Sequence, residues 1–183
     1  MAWFIDPSHT RANFTARHMM ITNVHGTFDK VEGVVDFNES DPARSTVDVK
    51  IEAASILTRD EKRDAHLKSP DFLDAEKYPY LTFKSKKAEK TGANTGRLVG
   101  DLTIRDITRP VTLNVEYNGQ AKSPWGTTNA GFTAVTKINR KDWGLNWNVA
   151  LETGGVLVGD IVTLNLEVEI VKQVEAVAEA VAA

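Results

Sequence analysis

The segment RDEKRDAHLKSPDFLDAEKYP, Arg59 to Pro79, gathers acids, bases and one histidine before it turns aromatic. Within it, His66 is the side chain suited to moving a proton near neutral pH. Asp60, Arg63 and Asp64 lie nearby on the same helical stretch, Arg63 three residues before it, and a carboxylate beside the imidazole would orient a general base. The chemistry lacks a nucleophile, because no G-x-S-x-G turn occurs anywhere in the chain. A structural role is the better reading: a short helix whose charges face water while Leu67 docks on the body of the protein.

A metal site is the second candidate. His9, His18 and His25 fall on or beside the first strands, with Asp6 close by. Paired strands can bring three histidines to one zinc ion, but the ligand spacings of zinc motifs are missing. Local hydrogen bonding by His18 and His25 at a strand connection is preferred, and no metal is expected. The glycine groups at Gly92, Gly96, Gly100 and at Gly154, Gly155, Gly159 are not phosphate cradles, since the second is followed by a strand pattern rather than a helix. Trp3, Trp125, Trp143 and Trp147 could stack on bases, the last two beside Arg140 and Lys141. With a net charge of −3 and no basic aromatic stripe, core or pocket-wall duty is the better reading for all four, and no nucleic-acid partner is expected.

These residues must be positioned by the elements around them, and most of the chain alternates. ANFTARH sets Ala12, Phe14 and Ala16 on one face, and VEGVVDF sets Val31, Gly33, Val35 and Phe37. VDVKIEA groups Val47, Val49, Ile51 and Ala53, while LVGDLTI groups Leu98, Gly100, Leu102 and Ile104. VTLNVEY, AGFTAVTKI and VTLNLEVEI continue the pattern with Leu113, Val115, Phe132, Ala134 and Leu166, and LTFKSKKA around Phe83 is a weaker example. A period of two in about eight segments means antiparallel strands with one apolar and one wet face. Turn chemistry separates them at Asn38 to Pro42, Gly92 to Gly96, Asp106 to Pro110, Asn118 to Gly126 and Thr153 to Gly159, and all six prolines are expected at edges or in loops. So much sheet with so little helix curls into a barrel or a sandwich. The exception is the opening segment: Thr58 and Glu61 form a capping box, helix runs to Leu67 or Lys68, and Ser69-Pro70 starts a second helical turn that Pro79 ends.

The totals agree. The 183 residues fit one domain; 42% apolar and 26% charged content excludes a disordered chain. The absence of cysteine removes disulfides, thiolate metal sites and thiol nucleophiles. MAWFIDPSHT has neither the basic nor the apolar part of a leader, so the expectation is cytoplasmic, or periplasmic if a leader has been removed. No run approaches a membrane span, so no stable membrane insertion is expected. The last residues, KQVEAVAEAVAA, change to Ala, Val and Glu and read as a tail, 173–183, outside a domain of residues 1–172.

The ordered set WFIDPSHTRANFTARHM, VHGTFDKVEGVVDF, ILTRDEKRDAHLKSPDFLDAEKYPYLTF, GRLVGDLTIRDITRPVTLNV, GFTAVTKINRKDWGL and VGDIVTLNLEVEI resembles the bacterial YceI-like polyisoprenoid-binding proteins over nearly the whole chain. Arg63-Asp64, His66-Leu67, Phe72 and Tyr78-Pro79 are its most specific part. One departure is Asp106, where that family usually has glycine, which bears on a turn type. The resemblance implies an all-β fold: a lipocalin-like eight-stranded antiparallel barrel, with the helical insert across one end. It further implies an elongated apolar cavity for an isoprenoid or similar long-chain lipid, often a homodimer, and no catalytic residue or cofactor. The expected cavity lining is Phe14, Val35, Val49, Ile51, Leu67, Phe72, Phe83, Leu102, Ile104, Leu113, Val115, Phe132 and Leu166. The competing reading is an enzyme acting on an isoprenoid or quinone-like substrate through His66, Asp64 or Arg140 at the cavity end.

Overall fold

The protein, a computed structural model that describes residues 2–172, is built almost entirely of antiparallel strands. They are β1 (Trp3–Ile5), β2 (Arg11–His18), β3 (Thr22–Phe28), β4 (Val31–Asp36), β5 (Thr46–Glu52), β6 (Ile56–Leu57), β7 (Tyr80–Lys90), β8 (Thr95–Ile104), β9 (Ile107–Lys122), β10 (Thr128–Asn139) and β11 (Val158–Lys172). Helix α1 spans Glu61–Lys68. The tail expected at 173–183 lies outside the described residues.

Closure comes from β1. It pairs with β4 on one side and with the end of β11 on the other, Trp3 facing both Val35 and Lys172. The ring β1-β4-β5-β7-β8-β9-β10-β11 is therefore a closed eight-stranded antiparallel barrel, which leaves no edge in that ring to template aggregation. The remaining strands continue those of the ring. β2 follows β1 along β11, and β3 with β6 follows β4 and β5. The joint between β1 and β2 is a tight turn in which Asp6 accepts from the Ser8 backbone N–H and from His9. Since β6 does not pair with β7 among the described residues, the wall would gape there, and the insert of α1 and the turns after it occupies the place.

Several local expectations are corrected. The helix N-cap is Asp60, whose side chain accepts from the Arg63 N–H; Thr58 is not the cap but a partner of buried Asp64. The segment after Ser69 makes turns, not a second helix. Pro110 stands inside β9, opposite Asp101. A proline is tolerated there because the β9–β10 ladder reaches only to Asn114–Val135, so no β10 ladder needs its missing N–H. Gly96 and Gly100 are likewise in β8 and not in a turn. The β8–β9 turn is Arg105-Asp106 alone, and the left-handed residue is Arg105 (φ 57), so Asp106 keeps an ordinary backbone without glycine. β9 runs on to Lys122, with a bulge where Gly119 faces Gly131 and Tyr117 faces Phe132; Gly119, at φ 108, supplies the backbone the bulge needs.

Candidate functional site

Alternation turns one face of every strand inward, and the inward faces enclose a cavity of about 640 Å³ running along the barrel. All thirteen residues expected as lining are on its wall, from Phe14 on β2 and Val35 on β4 to Leu166 on β11. The insert contributes Leu67, Phe72 and Leu73, the last two buried, and so closes one end. The small inward residues divide in two. Ala12, Ala16 and Ala134 line the cavity and give it width. Gly33, Gly100 and Ala53 do not: a side chain at Gly100 would collide with the Phe83 ring and the Lys84 carbonyl, so that space is already filled.

Exposure along the wall shows which end is open. Toward the insert, Leu81, Phe83, Leu102, Ile104, Val111 and Leu113 are buried; toward the opposite end, Leu98, Val115, Tyr117 and Phe132 are only half-buried. There the lining ends in exposed polar residues, Glu39 and Ser40 of the loop after β4 and Asn94 and Arg97 around the β7–β8 turn. The molecule is thus a tube with a packed floor at the insert and a polar mouth. Phe37 leans over the mouth side, edge-on to Trp3 and to Phe132, with Tyr117 5.8 Å away. Burial, then the carboxylate of Glu39, push the Tyr117 hydroxyl above its ordinary pKa, so it stays neutral at the mouth.

The polar groups at the floor are committed to the chain itself. Arg140 is 3% exposed and reaches the cavity, yet its Nε donates to the Gly159 carbonyl (2.9 Å). One terminal nitrogen donates to Leu145 and Trp147 carbonyls (2.5 and 2.9 Å), and the other to Val158. Burial lowers its pKa from the ordinary value, but an arginine stays cationic, and the Asp160 carboxylate at 3.9 Å helps hold the charge. It pins the loop between β10 and β11. Trp143 donates from Nε1 to the Leu102 carbonyl (2.9 Å). Asp64, 8% exposed, accepts from the Thr58 N–H (2.8 Å) and Thr58 hydroxyl (2.5 Å), while Arg63 donates to the same threonine's hydroxyl and carbonyl. His66 does not line the cavity: it bonds Asp71 (2.8 Å) and sits edge-on to Phe72 and Trp147. These three residues of the enzymatic reading do not converge on one substrate position. Thr27 Oγ1, the one unpartnered buried side-chain oxygen among the described residues, is not on the cavity wall.

The histidines of the metal reading are not brought together. His25 pairs with Thr15, and His18 faces Thr22 in the β2–β3 ladder. His9 instead meets Asp6 (2.9 Å) and Glu169 (3.8 Å), an exposed imidazole on two half-buried carboxylates that sequence spacing could not show, because Glu169 comes from β11. Trp3 and Trp143 are core, and Trp147 packs on the insert, but Trp125 is 88% exposed and contradicts the core assignment. The signal for it was local: Ser123-Pro124-Trp125-Gly126 is a turn sequence.

Fold and site together define a closed β-barrel around a deep, mainly apolar cavity, the architecture of small ligand-holding barrels. The YceI-like domain model matches residues 3–170, and the chain belongs to the YceI-like family. A UPF0312 protein of Staphylococcus aureus is 36% identical over 165 residues, 90% of this chain and 94% of that one. The crystal structure of the Campylobacter jejuni YCEI protein, 34% identical, superposes with a TM-score of 0.75 over 86% of this chain and 90% of that one. A polyisoprenoid binding domain from Saccharophagus degradans shares the fold at 12% identity, TM-score 0.66, covering 92% and 97% of the two chains.

Proposed function

We propose that the protein holds one long-chain isoprenoid or similar amphiphile lengthwise in the barrel, as a binding or carrier protein without chemistry of its own. The observation that carries this is the shape and polarity of the cavity: a mainly apolar wall, closed by Leu67, Phe72 and Leu73, with the floor's Arg140 committed to backbone carbonyls and exposed polar residues gathered at the open mouth. A strand of about twelve residues at ~3.3 Å each, tilted by roughly 40°, gives a tube on the order of 30 Å. A hydrocarbon chain buried in it gains about 0.8 kcal/mol per methylene-sized group, so even partial burial suffices for firm binding. The head group stays at the mouth among Glu39, Ser40, Asn94 and Arg97, where water and polar side chains solvate it. Membership of the YceI-like family and the polyisoprenoid binding domain among the structural neighbours support the ligand class. The commitment of Arg140, Asp64 and His66 to structural partners supports a binder over an enzyme. The test is mass spectrometry of organic extracts of the purified protein, with titration of added isoprenoids. A co-purifying long-chain amphiphile, or saturable binding at one per chain, is expected; neither appearing would overturn the proposal.

A further inference from the structure

On its β8 side the β9–β10 hairpin rises above the wall at the mouth, while on the other side β11 accompanies β10 up to Asn129 opposite Val171. On the β8 side its last ladder partner is Glu116, opposite Thr95, and Tyr117 N–H still donates to Asn94 in the β7–β8 turn. Beyond that point β9 continues five residues to Lys122, a rise of ~17 Å along the strand. Its tip is firmly built. Ser123 N–H donates to the Thr127 carbonyl, Gly126 N–H to the Ser123 carbonyl, and the Ser123 hydroxyl pairs with that of Thr127 at 2.7 Å. The rigid turn holds Trp125 out in solvent, 88% exposed, the most exposed large apolar side chain described. Lower on the same hairpin, Gln120 donates to Glu39, which also holds Lys172, so the hairpin is tied to the loop at the mouth.

Its charge is as uneven as its shape. The chain carries 25 acidic residues, yet none lies between Glu116 and Asp142; beyond Glu116 the hairpin presents Lys122 and Trp125 with no carboxylate of its own. An indole at the end of a rigid, acid-free turn beside a lysine suits the interface of a bilayer, where the ring sits at headgroup level and the ammonium meets anionic lipid. A second apolar tip exists, Met19 and Met20 of the β2–β3 turn with Val156 beside it, but it stands at the floor end, beside the β10–β11 loop, away from the mouth.

We propose that the β9–β10 hairpin tip is a membrane foothold: Trp125, with Lys122, docks transiently in the surface of a lipid bilayer and turns the cavity mouth toward it, so that the ligand passes between barrel and membrane. The inference rests on the lipid-holding reading of the cavity and adds where the ligand is exchanged. One indole and one lysine make a weak, reversible contact, which suits delivery and release rather than anchoring.

Tryptophan fluorescence reads it directly, because Trp3 and Trp143 are buried and Trp147 lies at the floor end. The full chain is titrated with vesicles of phosphatidylcholine containing about a third phosphatidylglycerol, with brominated chains as quencher. Expected are a blue shift and quenching that disappear in Trp125→Ala, persist in Trp125→Phe as flotation with the vesicles, and weaken about fivefold in Lys122→Gln. The melting temperature of each variant should match that of the parent, since neither residue lines the cavity or touches the core. Ligand transfer from protein to vesicles should slow about tenfold in Trp125→Ala. Met20→Asn, which also tolerates that residue's left-handed backbone, should change none of this. Docking unaffected by Trp125→Ala, or abolished instead by Met20→Asn, would overturn the proposal. Extracts free of amphiphile and no binding of added isoprenoid, with Trp125 still quenched, would sink the carrier reading and leave the docking; bound amphiphile with Trp125 unquenched would do the reverse.

Discussion

Val115→Trp should empty the cavity without unfolding the barrel. Val115 sits on β9 between buried Leu113 and the mouth residue Tyr117, faces inward, and is half-buried because the space before it is open. Its ladder neighbours are Ala134 on β10 and Gly96 on β8, both small, so an indole has room to turn into the tube. Tryptophan brings about seven more heavy atoms than valine and displaces at least about four methylene-sized groups of a chain lying there. At ~0.8 kcal/mol each the loss is ~3 kcal/mol, or on the order of a hundredfold in affinity. Because the new side chain fills space rather than overpacking it, the melting temperature should move by no more than a few degrees. The assay is isothermal titration with a long-chain isoprenoid, beside lipid content by mass spectrometry, with Asn114→Trp as the control. Asn114 is the next residue on the same strand but points outward, and its replacement should leave binding intact. A folded Val115→Trp protein that binds with parental affinity and stoichiometry would refute the placement of the ligand inside the barrel.

Further substitutions separate support from chemistry. Asp64→Ala orphans the buried Thr58 N–H and should cost about 2–3 kcal/mol, whereas His66→Ala loses a half-exposed bond to Asp71 and the edge contacts with Phe72 and Trp147 and should cost about 1 kcal/mol; thermal melts would show the order. Arg140→Met removes the donor from four backbone carbonyls at the floor, of which Val158 keeps the Asn148 amide, and should destabilise by roughly 3 kcal/mol, read as a lower denaturation midpoint; a stability equal to the parent would refute its role as the pin of the β10–β11 loop. The Asp6–His9 contact carries a pH signature. The hydrogen bond to His9 lowers the Asp6 pKa, and the same bond, with Glu169, raises that of His9. The contribution is full from about pH 3.9 to about 6.5, fades as pH rises through the folded His9 pKa, and fades as pH falls through that of Asp6. Melting temperatures of the parent and Asp6→Asn should therefore differ most near pH 5 to 6 and converge toward pH 9; a pH-independent difference would contradict the pairing.

What the sequence alone determined is which way each side chain points. A two-residue period is a local property of extended backbone, so Val49, Leu102, Leu113 and Leu166 could be assigned to one interior before any strand was paired, and a short helix ending at Lys68 could be assigned too, though with the cap misplaced at Thr58 instead of Asp60. Its limits are equally physical. The three residues of β1 are too few to show a period, yet they close the ring by meeting Val35 and Lys172, and that contact joins residues more than a hundred and fifty positions apart. Pro110 reads as a loop residue until the β9–β10 ladder is known to stop short of it. Gly100 and Ala134 look alike as small inward residues, and only packing shows that Phe83 fills the space at the first while the second faces the cavity. Arg140 and Asp64 look like candidate reactive groups until the carbonyls and the threonine that absorb them are in place. Trp125 looked like core because tryptophan usually is. Its exposure depends on how far the hairpin outruns β8, and that is set by register between strands, as is the choice of which end of the tube stays open. Direction is encoded residue by residue; closure, the open end and the space left inside arise only when distant strands meet.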